Sequence, residues 1–169
     1  ETLRAELDRV LAGRTPGYAD LENLPYTEQV VKEALRLYPP APVIPRHVAA
    51  DTSLGPYAIA RGSEVVLWSY LVHRDPRYWP EPERFRPERF APEADATRPK
   101  GAYLPFGAGQ RACIGQAFAM IEAQLIVATL GAKLRFEYAG RAPLRLRAGV
   151  TISPRGGMPM RVYSRAHHS

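Results

Sequence analysis

Helices, short antiparallel strands and one long proline-rich loop are the parts that the sequence predicts for this chain. Three observations carry that reading. Apolar residues recur at helical spacing in two stretches before Pro39. Pairs of β-branched residues separated by turn residues follow between Val43 and Trp68. A cysteine bracketed by glycines then precedes a long apolar run that starts at Ala117. With 169 residues the chain has the size of one domain or part of one, and 46% hydrophobic against 24% charged residues is a balance that supports a buried core. That balance excludes a collagenous or disordered chain, and a single cysteine excludes a disulfide-stapled one.

Leu3, Leu7, Val10 and Leu11 share one face of a helix over Thr2–Leu11, which Gly13 and Pro16 end. This helix has no capping residue ahead of it and the chain starts without methionine, so the N-terminal part of a larger protein is expected upstream. A second helix opens near Pro25, runs through Val30, Val31, Ala34, Leu35 and Leu37, and stops at Pro39-Pro40, which cannot continue it. The pairs Val43-Ile44 and Val65-Val66, alternation at Tyr57 and Ile59, and turns at Gly55-Pro56 and Gly62 predict short antiparallel strands.

Asp75 to Pro105 is rich in proline and lacks periodicity; Trp79, Phe85 and Phe90 are expected to anchor it as a long ordered loop. Ala117 to Leu134 is apolar on nearly every face, as a buried helix is. Glu122 and Gln124 interrupt it, and the apolar stretch falls short of the roughly 20 residues that span a bilayer. Phe136, Tyr138, Leu144, Leu146, Val150 and Ile152 then alternate like strands, before a polar stub from Arg165 to Ser169.

The formal charge of +6 is spread through arginines without a long basic run, which argues against a nucleic-acid arm and leaves room for an acidic protein partner. One cysteine and four histidines offer no zinc-ligand spacing, and a lone thiol suits a reducing compartment.

The chemistry concentrates in Phe106-Gly107-Ala108-Gly109-Gln110-Arg111-Ala112-Cys113-Ile114-Gly115. A thiol at the start of a helix gains from the helix's positive end and its unpaired N–H groups, both of which favour thiolate. Glycines let backbone approach a flat ligand, and Arg111 can bind a carboxylate of that ligand. A cysteine protease would need an activating histidine, and spacing nominates neither His47 nor His73, so a metal ligand fits better.

An isolated cysteine among glycines is more often inert, but here the motif F-x-x-G-x-R-x-C-x-G is complete. It resembles the haem-binding signature of the cytochrome P-450 superfamily, the haem-thiolate monooxygenases, and Ala119 and Glu122 extend it in the family's manner. Two further motifs stand in the right order. Glu33 and Arg36 share a helix face and resemble the family's E-x-x-R pair. Pro87-Glu88-Arg89-Phe90 resembles its P-E-R-F segment, although Pro82-Glu83-Arg84-Phe85 is a near-copy. Arg89 is preferred because it follows Phe85-Arg86-Pro87, the family's usual context.

The resemblance implies a mainly α fold with small β sheets, and places residues 1–169 as the C-terminal haem-binding part of a single cytochrome P-450 domain. It implies that Cys113 is the iron ligand of haem b, that Phe106 packs by it, and that Gly107, Gly115 and Ala119 shape the cofactor seat. Arg111 and Arg46 are implied as propionate partners, and Glu33, Arg36 and Arg89 as a Glu-Arg-Arg lock beneath the haem. His73 is expected to be structural, and His47, His167 and His168 have no assigned role.

The activity implied for the complete protein is insertion of one atom of dioxygen into a small apolar organic substrate. Electrons would come from NAD(P)H through an acidic ferredoxin or flavodoxin-like domain, docked near Arg84, Arg86, Arg98, Lys100 and Arg111. The family's oxygen-activating acid and threonine should lie upstream of Glu1. The same features leave two alternatives: a haem-binding fragment without activity of its own, and a peroxygenase or isomerase of the same fold. Alanine- and arginine-rich composition points to a bacterial, cytoplasmic protein with no membrane segment in this stretch.

Overall fold

The structure is a computed structural model that describes residues 1–165, so His167, His168 and the end of the polar stub lie outside the described residues. The first helical stretch forms α1 (Thr2–Leu11), with Leu7 and Leu11 buried. It ends where Ala12 and Gly13 take positive φ values of 46° and 85°, a left-handed close. A short 3₁₀ turn over Tyr18–Asn23, which the sequence did not announce, leads into α2 (Pro25–Leu37).

Leu24, the residue before α2, offers no side-chain cap. The carboxylate of Glu6 on α1 replaces it, accepting from the backbone N–H groups of Tyr26 (2.7 Å) and Thr27 (2.8 Å) and from Thr27 Oγ1 (2.7 Å). An acid at the positive end of α2 satisfies orphan donors and interacts favourably with the helix dipole. It also fixes α1 against α2.

The core lies between α1 and α5 (Gln116–Lys133), where Leu7, Leu11 and Leu24 meet Ala128 and Ala132. Gly131 permits the close approach, because a Cβ there would come within 2.9 Å of Leu7 Cδ1. The expectation of a helix buried on nearly every face needs correcting. Only Gln124, Ala128 and Ala132 of α5 are buried, whereas Phe118 is 71% and Ile126 50% exposed. Among the described residues α5 is packed by α1, α2 and the 3₁₀ turn, and these cover a single stripe.

Between α2 and the loop, β1 (Ile44–His47) pairs with β4 (Glu64–Leu67), and β2 (Thr52–Leu54) pairs with β3 (Tyr57–Ile59), both antiparallel. Gly55 at φ +59° opens the two-residue β2–β3 turn, the sign a tight hairpin needs at that position. A single-turn helix, α3 (Ser69–Val72), then delivers His73 to the interior.

The long loop is ordered, carrying a 3₁₀ turn at Pro87–Phe90 and a short α4 (Pro92–Ala96). Trp79 and Phe90 anchor it as expected, but Phe85 is 47% exposed. Phe85 precedes the turn that swings Phe90 inward, which leaves it on the outer side.

In the tail, β5 (Leu134–Tyr138) pairs antiparallel with β8 (Met160–Ser164), and β6 (Leu146–Arg147) with β7 (Ser153–Pro154). The alternation read through Val150 and Ile152 falls in the turn between β6 and β7. Helices with small separate two-stranded sheets are thus the architecture, the fold class that the sequence implied.

Candidate functional site: a buried ion lock and an exposed thiol loop

Glu33 and Arg36 lie one turn apart on α2, and both are wholly buried. The guanidinium meets the carboxylate with both prongs, Nε to Oε2 at 2.7 Å and Nη2 to Oε1 at 2.9 Å. Its remaining donors reach into the loop: Nη1 to the carbonyls of His73 (2.8 Å) and Pro82 (2.7 Å), and Nη2 to that of Arg84 (3.3 Å). Glu33 Oε1 also accepts the backbone N–H of Arg86 at 2.7 Å. One helix face therefore holds a loop that has no strand ladder of its own.

Arg89 comes to this cluster and Arg84 does not. Arg89 Nε lies 3.5 Å from Glu33 Oε1, and its Nη2 donates to the carbonyl of Glu81 at 2.8 Å. The Arg84 side chain points outward, 65% exposed, and pairs with Glu81. The 3₁₀ turn opened by Pro87 explains the choice between the two near-copies, because it turns Arg89 and Phe90 inward together. Burial lowers the Arg89 pKa from its ordinary value, and the neighbouring Glu33 carboxylate opposes that shift.

Three residues around the lock escaped the sequence reading as a unit. His73 is fully buried, Trp79 donates Nε1–H to the carbonyl of Ala102 (3.2 Å), and Tyr103 donates its hydroxyl to that of Lys32 (3.0 Å). The rings cluster, with Phe90 and Tyr103 centroids 4.8 Å apart and Arg98 stacked 4.4 Å over Trp79. Burial holds the His73 imidazole down at about 4. The signal available in the sequence was the concentration of aromatics between Trp79 and Tyr103.

Arg98 is thereby removed from the expected basic docking face. It pairs with Asp95, donates to the carbonyl of Arg89, and keeps only 9% of its side chain exposed. Its stem and fork cover the aromatic cluster, which is what a cation flanked by rings gains from burial.

The cysteine loop runs next to strand β1. Gly107 and Gly109 take φ values of +74° and +68°, in the region that favours glycine. A Cβ on Gly107 would also meet Ile44 Cδ1 at 3.7 Å, so the loop and β1 are packed together. The loop is closed by the Cys113 N–H to the Phe106 carbonyl (2.9 Å) and the Gly107 N–H to that of Leu104 (3.2 Å).

Cys113 itself stands three residues before α5 rather than within it, and its carbonyl accepts the Gln116 N–H at 3.3 Å. Its side chain is exposed, and a Cβ on Gly115 would lie 3.8 Å from Sγ. Phe106 is half-buried at the base of the loop, and Ala119 follows Gly115 by one turn, its N–H donating to the Gly115 carbonyl at 2.9 Å.

Arg111 and Arg46 are both exposed, and among the described residues neither has a carboxylate within ion-pair distance. Arg46 sits on β1, whose Ile44 touches the loop, and donates Nη1–H to the carbonyl of Pro45 at 2.9 Å. Among the described residues no group of three or more His, Cys, Asp or Glu could hold a bare metal ion. A single exposed thiol, with Arg111 two residues before it in sequence, suits a metal that arrives with its other ligands and its own carboxylates, as iron in haem does.

Comparison with known proteins identifies the family of the chain. The family model of cytochrome P-450 matches residues 1–157. Cyclooctatin synthase of Streptomyces melanosporofaciens is 43% identical over 158 residues, covering 94% of this chain and 33% of that protein. Cyclooctat-9-en-7-ol 5-monooxygenase of the same organism is 41% identical, covering 79% of this chain and 29% of its own length. Among solved structures, the crystal structure of a cytochrome P-450 haem domain superimposes with a TM-score of 0.91 at 32% identity, covering 99% of this chain and 37% of that one. The chain spans about a third of the length of the curated relatives it matches. By sequence and by fold, the chain belongs to the cytochrome P-450 family.

Proposed function

We propose that the complete protein is a haem-thiolate monooxygenase with Cys113 as the proximal ligand of haem b. The observation that carries this reading is the open Cys113 thiol, fixed through its N–H to the Phe106 carbonyl inside the matched family segment. Haem ligated by thiolate supplies the activation of dioxygen, the thiolate pushing electron density toward O–O cleavage.

The residues present fit that cofactor. Cys113 would hold the iron through its sulfur, and its exposed side chain leaves the thiol open to such a ligand. Gly107 and Gly109 keep Cβ atoms from the loop that a flat ligand would approach, and the Phe106 carbonyl holds the Cys113 N–H. Arg111 and Arg46, both without acidic partners among the described residues, would hold the propionates. The lock of Glu33, Arg36 and Arg89 fixes the proline-rich loop through the backbone of Pro82, Arg84 and Arg86.

The substrate class is a small apolar organic molecule, by analogy with a relative whose name places it as a 5-monooxygenase of a carbocyclic alcohol. The exposed apolar side of α5, with Phe118 and Ile126, is where the remainder of the complete protein would pack. The monooxygenase activity is proposed for the complete protein.

Electrons would reach it from NAD(P)H through an acidic ferredoxin or flavodoxin-like domain. Lys100 and Arg111 are the exposed cations of the expected docking face without an acidic partner among the described residues, since Arg84 and Arg86 pair with Glu81. No described helix is long and apolar enough to cross a membrane. The Streptomyces relatives and the composition favour a bacterial, cytoplasmic setting.

The test is the absorption spectrum of the complete protein with haem, reduced and exposed to carbon monoxide, beside its Cys113→Ala variant. A red-shifted, thiolate-type Soret band that disappears in the variant supports the assignment. An unchanged band in Cys113→Ala overturns it.

A further inference from the structure

The cysteine loop needs a fixed position relative to the Glu33–Arg36 lock, and one side chain spans the two. His73 lies between the C-terminal end of α2 and the segment that enters the loop, and it is wholly buried. Its Nδ1 is 3.2 Å from the carbonyl of Arg36, and its Nε2 is 2.7 Å from the backbone nitrogen of Leu104. A carbonyl accepts and an amide donates, so the proton must sit on Nδ1 and the lone pair on Nε2. The imidazole is thus held neutral in one tautomer by backbone groups on both sides.

Each end of this bridge has a purpose. The Arg36 carbonyl is in the last turn of α2, where helix carbonyls lack an intrahelical partner, and His73 supplies one. In return, the His73 carbonyl accepts Arg36 Nη1 at 2.8 Å, so the two residues clasp each other twice. On the far side, Leu104 opens the turn that its own carbonyl closes with the Gly107 N–H, and two residues later Phe106 accepts the Cys113 N–H. Hydrogen bonds joined by the short backbone stretch from Leu104 to Phe106 therefore connect the buried lock to the backbone of the thiol.

We propose that His73 is a positioning residue for the haem ligand: by accepting the Leu104 N–H it fixes where the cysteine loop stands relative to α2, and so where Sγ is presented. The proposal rests on ligation of haem by Cys113. His73 does not touch that group and is not a catalytic residue. Ordinary packing would need only a ring of this size, whereas positioning needs the acceptor at Nε2.

The experiment compares His73→Gln, His73→Asn and His73→Phe in the complete, haem-loaded protein. Glutamine can present an amide oxygen to Leu104; asparagine keeps a short donor near Arg36 and loses the reach; phenylalanine keeps the ring and loses both bonds. The readouts are the share of thiolate-type band in the reduced carbon monoxide complex and the rate of haem transfer to an excess of a haem-scavenging protein. Far-UV circular dichroism reports folding independently.

The expected result is folded Asn and Phe variants with a diminished thiolate-type share and haem loss about ten-fold faster, both substantially recovered in His73→Gln. Parent-like spectra and haem retention in a folded Asn or Phe variant overturn the proposal. So does loss of fold in all three variants, which would make His73 a support of the whole core and of nothing in particular. Cys113→Ala, run alongside, separates the two ideas. A thiolate-type band that persists in it rejects the ligation itself, whereas a band lost there and untouched in the His73 variants rejects only the positioning role.

Discussion

Removing the Glu33 carboxylate should be among the most damaging single changes in this chain, and the structure indicates by how much. In Glu33→Ala the Arg36 guanidinium stays buried, loses its two short bonds at 2.7 and 2.9 Å, and faces Arg89 without the anion between them. Breaking one side of a buried pair costs about 3–5 kcal/mol, a large part of the roughly 5–15 kcal/mol that holds a domain folded.

An isolated buried ion pair can often be exchanged for apolar residues without loss. This one should differ, because Arg36 also satisfies the carbonyls of His73, Pro82 and Arg84. In the double variant Glu33→Met with Arg36→Met those carbonyls, and the Arg86 N–H that Glu33 accepts, lose their partners. Each that stays dry costs about 1–3 kcal/mol, so the double variant is expected to lose about 3 kcal/mol or more as well. Urea unfolding of the complete haem protein and of both variants, monitored by far-UV circular dichroism, measures the differences. A double variant as stable as the parent would refute the claim that this cluster acts by stitching the loop, and leave it a simple ion pair.

Three further outcomes follow from other contacts. His73 stays neutral because burial lowers its pKa from the ordinary 6.5 to about 4, so the unfolded chain binds the additional proton between those values. Its contribution is complete above pH 6.5 and is lost as the pH falls toward 4, at most about 3 kcal/mol. Stability of His73→Gln should lack that slope, and an identical slope in urea titrations of the two proteins would contradict the assignment. Glu6→Ala removes the three bonds that cap α2 from α1 and should cost about 2 kcal/mol, whereas Glu6→Gln should recover part; equal stability of all three forms counts against the borrowed cap. Gly131→Ala should fail to give the gain of about 1 kcal/mol usual for a helical glycine, because the new methyl meets Leu7 Cδ1 at 2.9 Å; a thermal melt that rises would refute the tight packing.

Much of this site was legible in the order of residues. Helix α2 could be bounded between Pro25 and Pro39 because proline suits a first turn and forbids a later one. The i, i+3 spacing of Glu33 and Arg36 already puts both on one face, and φ > 0 at Gly107 and Gly109 is what glycine permits locally. These are properties of neighbours along the chain, which is why a sequence can state them.

What depended on distance in space had to wait for the tertiary structure. Sequence context favoured Arg89 over Arg84, but only the inward turn at Pro87 brings Arg89 within 3.5 Å of Glu33 while Arg84 faces outward to Glu81. The cap on α2 comes from Glu6, about twenty residues away, and the partner of Leu104 is His73, whose ring had no more than a turn to recommend it. Arg98 read as a surface charge until Trp79 and Phe90 were placed beneath it. Apolar periodicity told that α5 needs cover on several sides, but only packing could say which stripe α1 supplies. Sequence therefore indicated the helix ends, the shared face of Glu33 and Arg36 and the glycine positions around Cys113, since backbone sterics and spacing act within a few residues. The tertiary structure decided which of those groups meet, because burial and hydrogen-bond partners are set by segments that the chain brings together only on folding.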